Sequence, residues 1–277
     1  MKIKDKRIIK EHEYSDKDFE EIILPNGLEK IGAFAFSNCK ELKKIIIPKS
    51  CVDIEMAAFR NCFNLEEVYF EGNTRIDYST FENCISLRKI NLPYQKRIPS
   101  SAFKNTPSLQ SIDLGNDVTE IGVSAFESSG LKKIVIPDKI YGIARKAFYE
   151  CIWLETVIIG KNIRNVEEFA FANCTSLKEI NFNKESEANL VNLNIFQNCK
   201  NLEYIYLGNT KMIQENIFKD ATNIKHIFVD KEKIDKKFLE KYKDKILFND
   251  LELDDLIALG KSFKEANKIY TGLGRER

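Results

Sequence analysis

The sequence predicts a solenoid of stacked coils carrying a parallel β-sheet on one face, and three observations predict it. Nine phenylalanines, Phe36, Phe59, Phe81, Phe103, Phe126, Phe148, Phe171, Phe196 and Phe218, recur at spacings of 23, 22, 22, 23, 22, 23, 25 and 22 residues. Each is followed by a short polar gap, a Leu or its equivalent, and an apolar pair beginning three residues later. Pro or Gly then often closes the unit. A period of roughly 20–29 residues with one short apolar strand per unit marks a solenoid, in which each coil buries its apolar face against the next.

In chain order, residues 1–18 are polar and predict an irregular or short helical N-terminal cover. A partial copy follows, with the strand Ile22-Ile23-Leu24-Pro25. Nine more strands of this kind are predicted, at Ile45-Ile46-Ile47-Pro48, Val68-Tyr69-Phe70, Ile90-Asn91-Leu92-Pro93, Ile112-Asp113-Leu114-Gly115, Ile134-Val135-Ile136-Pro137, Val157-Ile158-Ile159-Gly160, Ile180-Asn181-Phe182, Ile205-Tyr206-Leu207-Gly208 and Ile227-Phe228-Val229. Alternation with period two turns the first and third apolar residues inward. The Pro or Gly afterwards ends the strand.

A second apolar run, as in Leu28/Ile31, Val118/Ile121 and Ile163/Val166, leads into Ala-Phe, where Ala permits close approach and Phe fills the coil. The Asn after each Phe (Asn38, Asn61, Asn83, Asn105, Asn173, Asn198) suits a tight turn, with its amide available to that turn's backbone. The unit at Ser128-Ser129-Gly130-Leu131 is one residue shorter, and the segment 183–193 is lengthened, which places it in a surface loop.

Six cysteines, Cys39, Cys62, Cys84, Cys151, Cys174 and Cys199, share one repeat position, three residues after the anchor Phe. No CxxC pair or Cys/His cluster accompanies them, so no metal is expected. Thr106 and Ala221 occupy the same position and cannot crosslink, which favours free thiols acting as small buried hydrophobes. Pairing between adjacent coils is not excluded by distance, since parallel strands lie about 4.8 Å apart. Cys51 lies outside the column and is expected to be the most reactive thiol.

The phrase AF-x-N-C-x-x-L-x-x-I-x-I-P resembles the BspA-like leucine-rich repeat, over roughly residues 20–230. That resemblance implies a β-rich α/β fold, a right-handed leucine-rich-repeat solenoid with a parallel sheet of about ten short strands. It also implies a relationship with cell-surface and secreted adhesion proteins. The organisation expected is an N-terminal cap over 1–18, the solenoid over 19–230, and a C-terminal cap over 231–277. Within that cap, 231–245 reads as a helix with Ile234, Phe238, Leu239 and Tyr242 on one side. A closing strand at 246–248, a last helix over 250–270 and a loose tail complete it.

Charge is nearly balanced, with 43 basic and 42 acidic residues, so nucleic acid is not an expected partner. No stretch approaches the roughly 20 apolar residues of a membrane span. The start is charged and lacks an apolar leader core. Two localisations follow: cytoplasmic with Met1 the native start, or surface-displayed or secreted with a leader removed. The two histidines, His12 and His226, lie at opposite ends, and no nucleophile–base pair or phosphate loop is found. No catalytic residue, no cofactor and no enzymatic activity are expected.

Function is expected on the outward side of the strands. One outward column runs Ile23, Ile46, Tyr69, Asn91, Asp113, Val135, Ile158, Asn181, Tyr206 and Phe228. Its neighbour runs Glu21, Lys44, Glu67, Lys89, Ser111, Lys133, Thr156, Glu179, Tyr204 and His226, with signs alternating at first so that adjacent strands gain lateral ion pairs. Contiguous exposed apolar surface marks interaction sites, and aromatics anchor them. The expected protein-binding residues are Tyr69, Ile158, Tyr204, Tyr206, His226 and Phe228, the last four densest, unless the C-terminal segment covers them and makes them core. Adhesion to host matrix or glycans is the alternative, and homodimerisation through an edge or the apolar face stays open.

Overall fold

The computed structural model describes residues 1–190, 194–210, 212–214, 216–229 and 236–248. The chain winds through stacked coils whose short strands form two parallel ladders. The first ladder comprises β3 (Lys44–Ile47), β5 (Glu67–Phe70), β7 (Lys89–Ile90), β10 (Lys133–Ile136), β12 (Thr156–Ile159), β14 (Glu179–Phe182), β16 (Tyr204–Tyr206), β18 (His226–Val229) and β19 (Ile246–Phe248). The second comprises β1 (Ile8–Ile9), β2 (Lys30–Ile31), β4 (Asp53–Ile54), β6 (Arg75–Ile76), β8 (Arg97–Ile98), β9 (Glu120–Ile121), β11 (Gly142–Ile143), β13 (Asn165–Val166), β15 (Asn189–Leu190) and β17 (Met212–Ile213). Every pairing is parallel, and helix is confined among the described residues to α1 (Lys236–Tyr242).

The core is the predicted spine. All nine anchor phenylalanines are buried, and each ring stacks on the next at 5.0–5.7 Å between centroids. The turns around the first eight anchors, Phe36 to Phe196, enter and leave through a pair of left-handed residues four apart, as in Phe34 and Asn38, Ala57 and Asn61, Ser79 and Asn83, Ser101 and Asn105, with φ between 54° and 62°. Asn tolerates that conformation better than other side chains. Its amide does not serve its own turn as expected. It reaches the preceding coil instead: Asn61 Nδ2 donates to Asn38 Oδ1 at 2.8 Å, Asn83 to Asn61 at 2.7 Å and Asn105 to Asn83 at 2.9 Å. The ladder lapses at Ser128 and Glu150, and Asn173 donates to the Tyr149 hydroxyl. In the shortened turn a Cβ on Gly130 would sit 1.9 Å from the Pro107 carbonyl oxygen, so the tightened coil admits glycine there.

The cysteines are free and buried, and their thiols have partners. Cys39, Cys62, Cys84, Cys151, Cys174 and Cys199 each place Sγ 3.1–3.2 Å from the carbonyl oxygen of the aromatic one coil earlier. They are weak donors to a backbone group as well as small apolar fillers. Cys51, expected to be reactive, is wholly buried, and burial pushes its thiol up to about 11.

Two expectations give way. Residues 1–18 form a degenerate coil rather than an irregular or helical cover: Lys2 bridges Ile23, β1 pairs with β2, and Tyr14 stacks on Phe36 at 5.5 Å. His12 and Asp16 supply its left-handed pair. The first ladder is also not continuous, because 112–114 forms no strand. There Asp113 Oδ1 accepts the Gly115 N–H at 2.9 Å, and this local turn replaces the ladder. Asn91 covers the loose end, its amide bonding both the N–H and the carbonyl of Phe70, at 2.8 and 2.9 Å.

The second ladder parts between β6 and β8, where Gln95 Nε2 donates to the Thr74 carbonyl at 2.7 Å. Both ladders therefore divide in the same region of the solenoid. The Phe stack and the Asn ladder run across the division.

At the C-terminal end α1 packs Phe238 and Tyr242 against Phe218, at 6.2 and 5.9 Å, and β19 pairs with β18. Leu239, expected on the packed side, is exposed. Ile234, the expected helix over 250–270 and the tail lie outside the described residues, as do 191–193 of the long loop.

Candidate partner-binding face

The four-residue strands of the first ladder alternate outward and inward, so Lys44 and Ile46 of β3 face solvent while Ile45 and Ile47 enter the core. The same phase in β5 turns out Glu67 and Tyr69. Register aligns Lys44 with Glu67 and Glu67 with Lys89, and Ile46 with Tyr69. Lys44 Nζ lies 3.2 Å from one Glu67 oxygen and Lys89 Nζ 3.6 Å from the other. The hydrogen bond from Lys44 holds the Glu67 carboxyl below its ordinary range. Solvent screens exposed pairs of this kind, so they order the face more than they stabilise it.

Ile23 (58% exposed), Ile46 (45%) and Tyr69 (53%) form a continuous run at the N-terminal end. Beside it lies a groove of about 310 Å³, lined in part by Ile23, Asn26, Ile46, Pro48 and Glu71. Nothing in the strand pattern marks this groove except Pro48, which ends its strand and lies in the lining.

The dense aromatic group is brought together as expected, with Tyr204 in register with His226 and Tyr206 with Phe228. The Tyr206 and Phe228 rings stack at 4.5 Å and 5°, and Tyr204 and His226 lie 6.1 Å apart. Exposure divides the group. Phe228 is 0% exposed and Tyr206 6%, and burial pushes the Tyr206 hydroxyl above its ordinary range. These two belong to the interior: Phe228 sits between Tyr206 and Leu247 of the closing strand, whose pairing extends the sheet past β18. Tyr204, His226 and Ile158 are half-buried. Tyr69 and Ile158 lie on separate segments of the divided ladder, so the six residues do not form one surface.

Among the described residues no three His, Cys, Asp or Glu side chains converge on a metal-binding geometry. Among them too, no helix is long and apolar enough to cross a membrane.

The chain matches the BspA type leucine rich repeat region, in 6 copies, over residues 7–132 and 119–243. No functionally curated protein matches it significantly. Among solved structures it is similar to a leucine rich cell surface protein of Faecalibacterium prausnitzii, at 19% identity and a TM-score of 0.52, covering 91% of this chain and 85% of that one. It is also similar to the pneumococcal vaccine antigen PcpA, at 18% identity and a TM-score of 0.50, covering 88% and 77% of the two chains. At these identities the likeness is one of fold.

Proposed function

The chain belongs to the BspA-type leucine-rich repeat family, and from that premise we propose that it is a non-enzymatic protein-binding scaffold which captures a partner on the outward face of its first ladder. The observation that carries this reading is the in-register run Ile23, Ile46 and Tyr69, three exposed apolar side chains on neighbouring coils beside a groove. A stacked spine holds them rigidly, so little ordering entropy opposes docking. Tyr204 and His226 offer a second, less accessible contact at the far end.

The test is capture of partners from native lysate and surface fractions, followed by affinity measurement on the partner recovered. Replacing Ile46 and Tyr69 by Ser is expected to weaken that affinity about 30-fold or more, as loss of a central hot spot does. Unchanged affinity with both replaced refutes the assignment. Display on a cell surface, with adhesion to host matrix or glycans, is a second reading; support for it comes from the Faecalibacterium neighbour, which is named a cell surface protein. Immunodetection on intact cells distinguishes display from an internal location.

A further inference from the structure

We propose that the division of the second ladder forms a separate binding site for an acidic oligosaccharide, one whose sugar rings carry carboxylate or sulfate groups. Between β6 and β8 the surface opens into a recess of about 590 Å³, within the range of roughly 300–1,000 Å³ typical of ligand pockets. Arg75, Asp77, Tyr78, Tyr94, Lys96 and Arg97 line it; Asp53 and Glu120, just outside the lining, pair with the two arginines, so Lys96 supplies the unpaired positive charge of the recess. One unpaired ammonium between two oriented guanidinium groups is not a basic stripe of the kind that binds nucleic acid.

The partners of these groups narrow the ligand. Arg75 reaches Asp53 at 2.7 Å and Asp77 at 3.6 Å, and Arg97 reaches Glu120 at 3.2 Å. Each guanidinium thus keeps donors of its five free for a ligand oxygen while its orientation is fixed. The Lys96 ammonium is exposed and has no ion-pair partner among the described residues. Tyr78 and Tyr94, 49% and 51% exposed, border the same opening. Tyrosine joins an apolar ring to a polar tip, which suits a pyranose: its C–H face packs on the ring while its hydroxyls meet polar groups.

An extended peptide would dock by adding a strand to a free edge. The edge of β6 is occupied, because Gln95, itself buried, bonds the carbonyl of Thr74 and lies 3.5 Å from the N–H of Ile76. Side chains, not backbone, are what the recess presents. The site lies on the other ladder from Ile23, Ile46 and Tyr69, so it stands or falls independently of that face.

The test titrates the full chain at physiological salt with a heparin hexasaccharide, a hexagalacturonate, neutral maltohexaose and a hexaglutamate peptide, read by calorimetry. At least one acidic sugar is expected to bind at least about tenfold more tightly than maltohexaose and hexaglutamate, a discrimination of about 1.4 kcal/mol. Which of the two acidic sugars binds more tightly identifies the substituent. Tyr94→Ala and Lys96→Glu, both at exposed positions, are each expected to weaken binding about tenfold, whereas Lys200→Glu on a remote turn leaves it unchanged. Unchanged far-UV circular dichroism of the variants separates site loss from unfolding. Failure of both acidic sugars to bind at about 1 mM overturns the proposal. So does equal binding of hexaglutamate, or binding indifferent to Tyr94 and Lys96.

Discussion

Phe148 offers the sharpest test of the stacked spine. Its ring is wholly buried between Phe126, at 5.3 Å and 7°, and Phe171, at 5.0 Å and 1°. Phe148→Leu keeps much of the volume but removes two ring contacts, each worth about 0.5–1.5 kcal/mol beyond area burial, so the expected loss is about 1–3 kcal/mol. Phe148→Ala adds a cavity that neighbouring coils cannot collapse into, and is expected to lose about 3–5 kcal/mol. Equilibrium urea unfolding followed by circular dichroism measures both, with Trp153 on the same coil as a local fluorescence reporter. A double-mutant cycle isolates the contact. Phe126→Leu with Phe148→Leu should couple by about 0.5–1.5 kcal/mol, whereas Phe81→Leu with Phe148→Leu, three coils apart, should add within about 0.5 kcal/mol. Both Phe148 variants losing less than about 1 kcal/mol, or equal coupling in the two cycles, refutes the reasoning.

Further outcomes follow from other contacts. Glu150 occupies a left-handed position where the amide ladder lapses, so Glu150→Asn is expected to stabilise by about 0.5–1.5 kcal/mol in the same unfolding assay. Phe228→Ser is expected to destabilise by about 3–5 kcal/mol, and a folded, fully stable variant would contradict its burial. The folded Cys51 thiol titrates at about 11 against about 8.5 when unfolded, so the unfolded chain releases that proton first. Stability is therefore complete below about pH 8.5 and falls as pH rises toward 11, by up to about 1.4 kcal/mol per unit for each such thiol. Unfolding midpoints across that window check the sign, and Cys51→Ala should reduce the slope. Thiol titration of denatured, unreduced protein should count seven.

The repeat was legible because Phe and Leu recur at fixed phase, and phase fixes which side chains meet. The first coil was harder to read, because Tyr14 stands where Phe stands later and no Ala precedes it. Its geometry shows in the left-handed pair His12 and Asp16 and in the stack on Phe36. The gap at 112–114 was hidden because Ile112 and Leu114 keep the strand pattern while the Asp113 carboxylate favours a turn. A signal did exist in Gln95, a polar residue at a position that holds Val118, Ile140 and Ile163 in later coils. Alternation gives the side on which Tyr206 and Phe228 lie. Their burial depends on neighbouring chain that a strand's own pattern does not specify.

The matched division of the two ladders gives this rod a plane of weakness. Around residues 90–115 successive coils are joined by ring stacking, side-chain amides and turn hydrogen bonds, with the strand hydrogen bonds interrupted on both faces. Under tension along the axis, as on a protein tethered at one end and gripped at the other, the molecule should part there first. It would yield in two steps, and each half could extend while the other stayed wound.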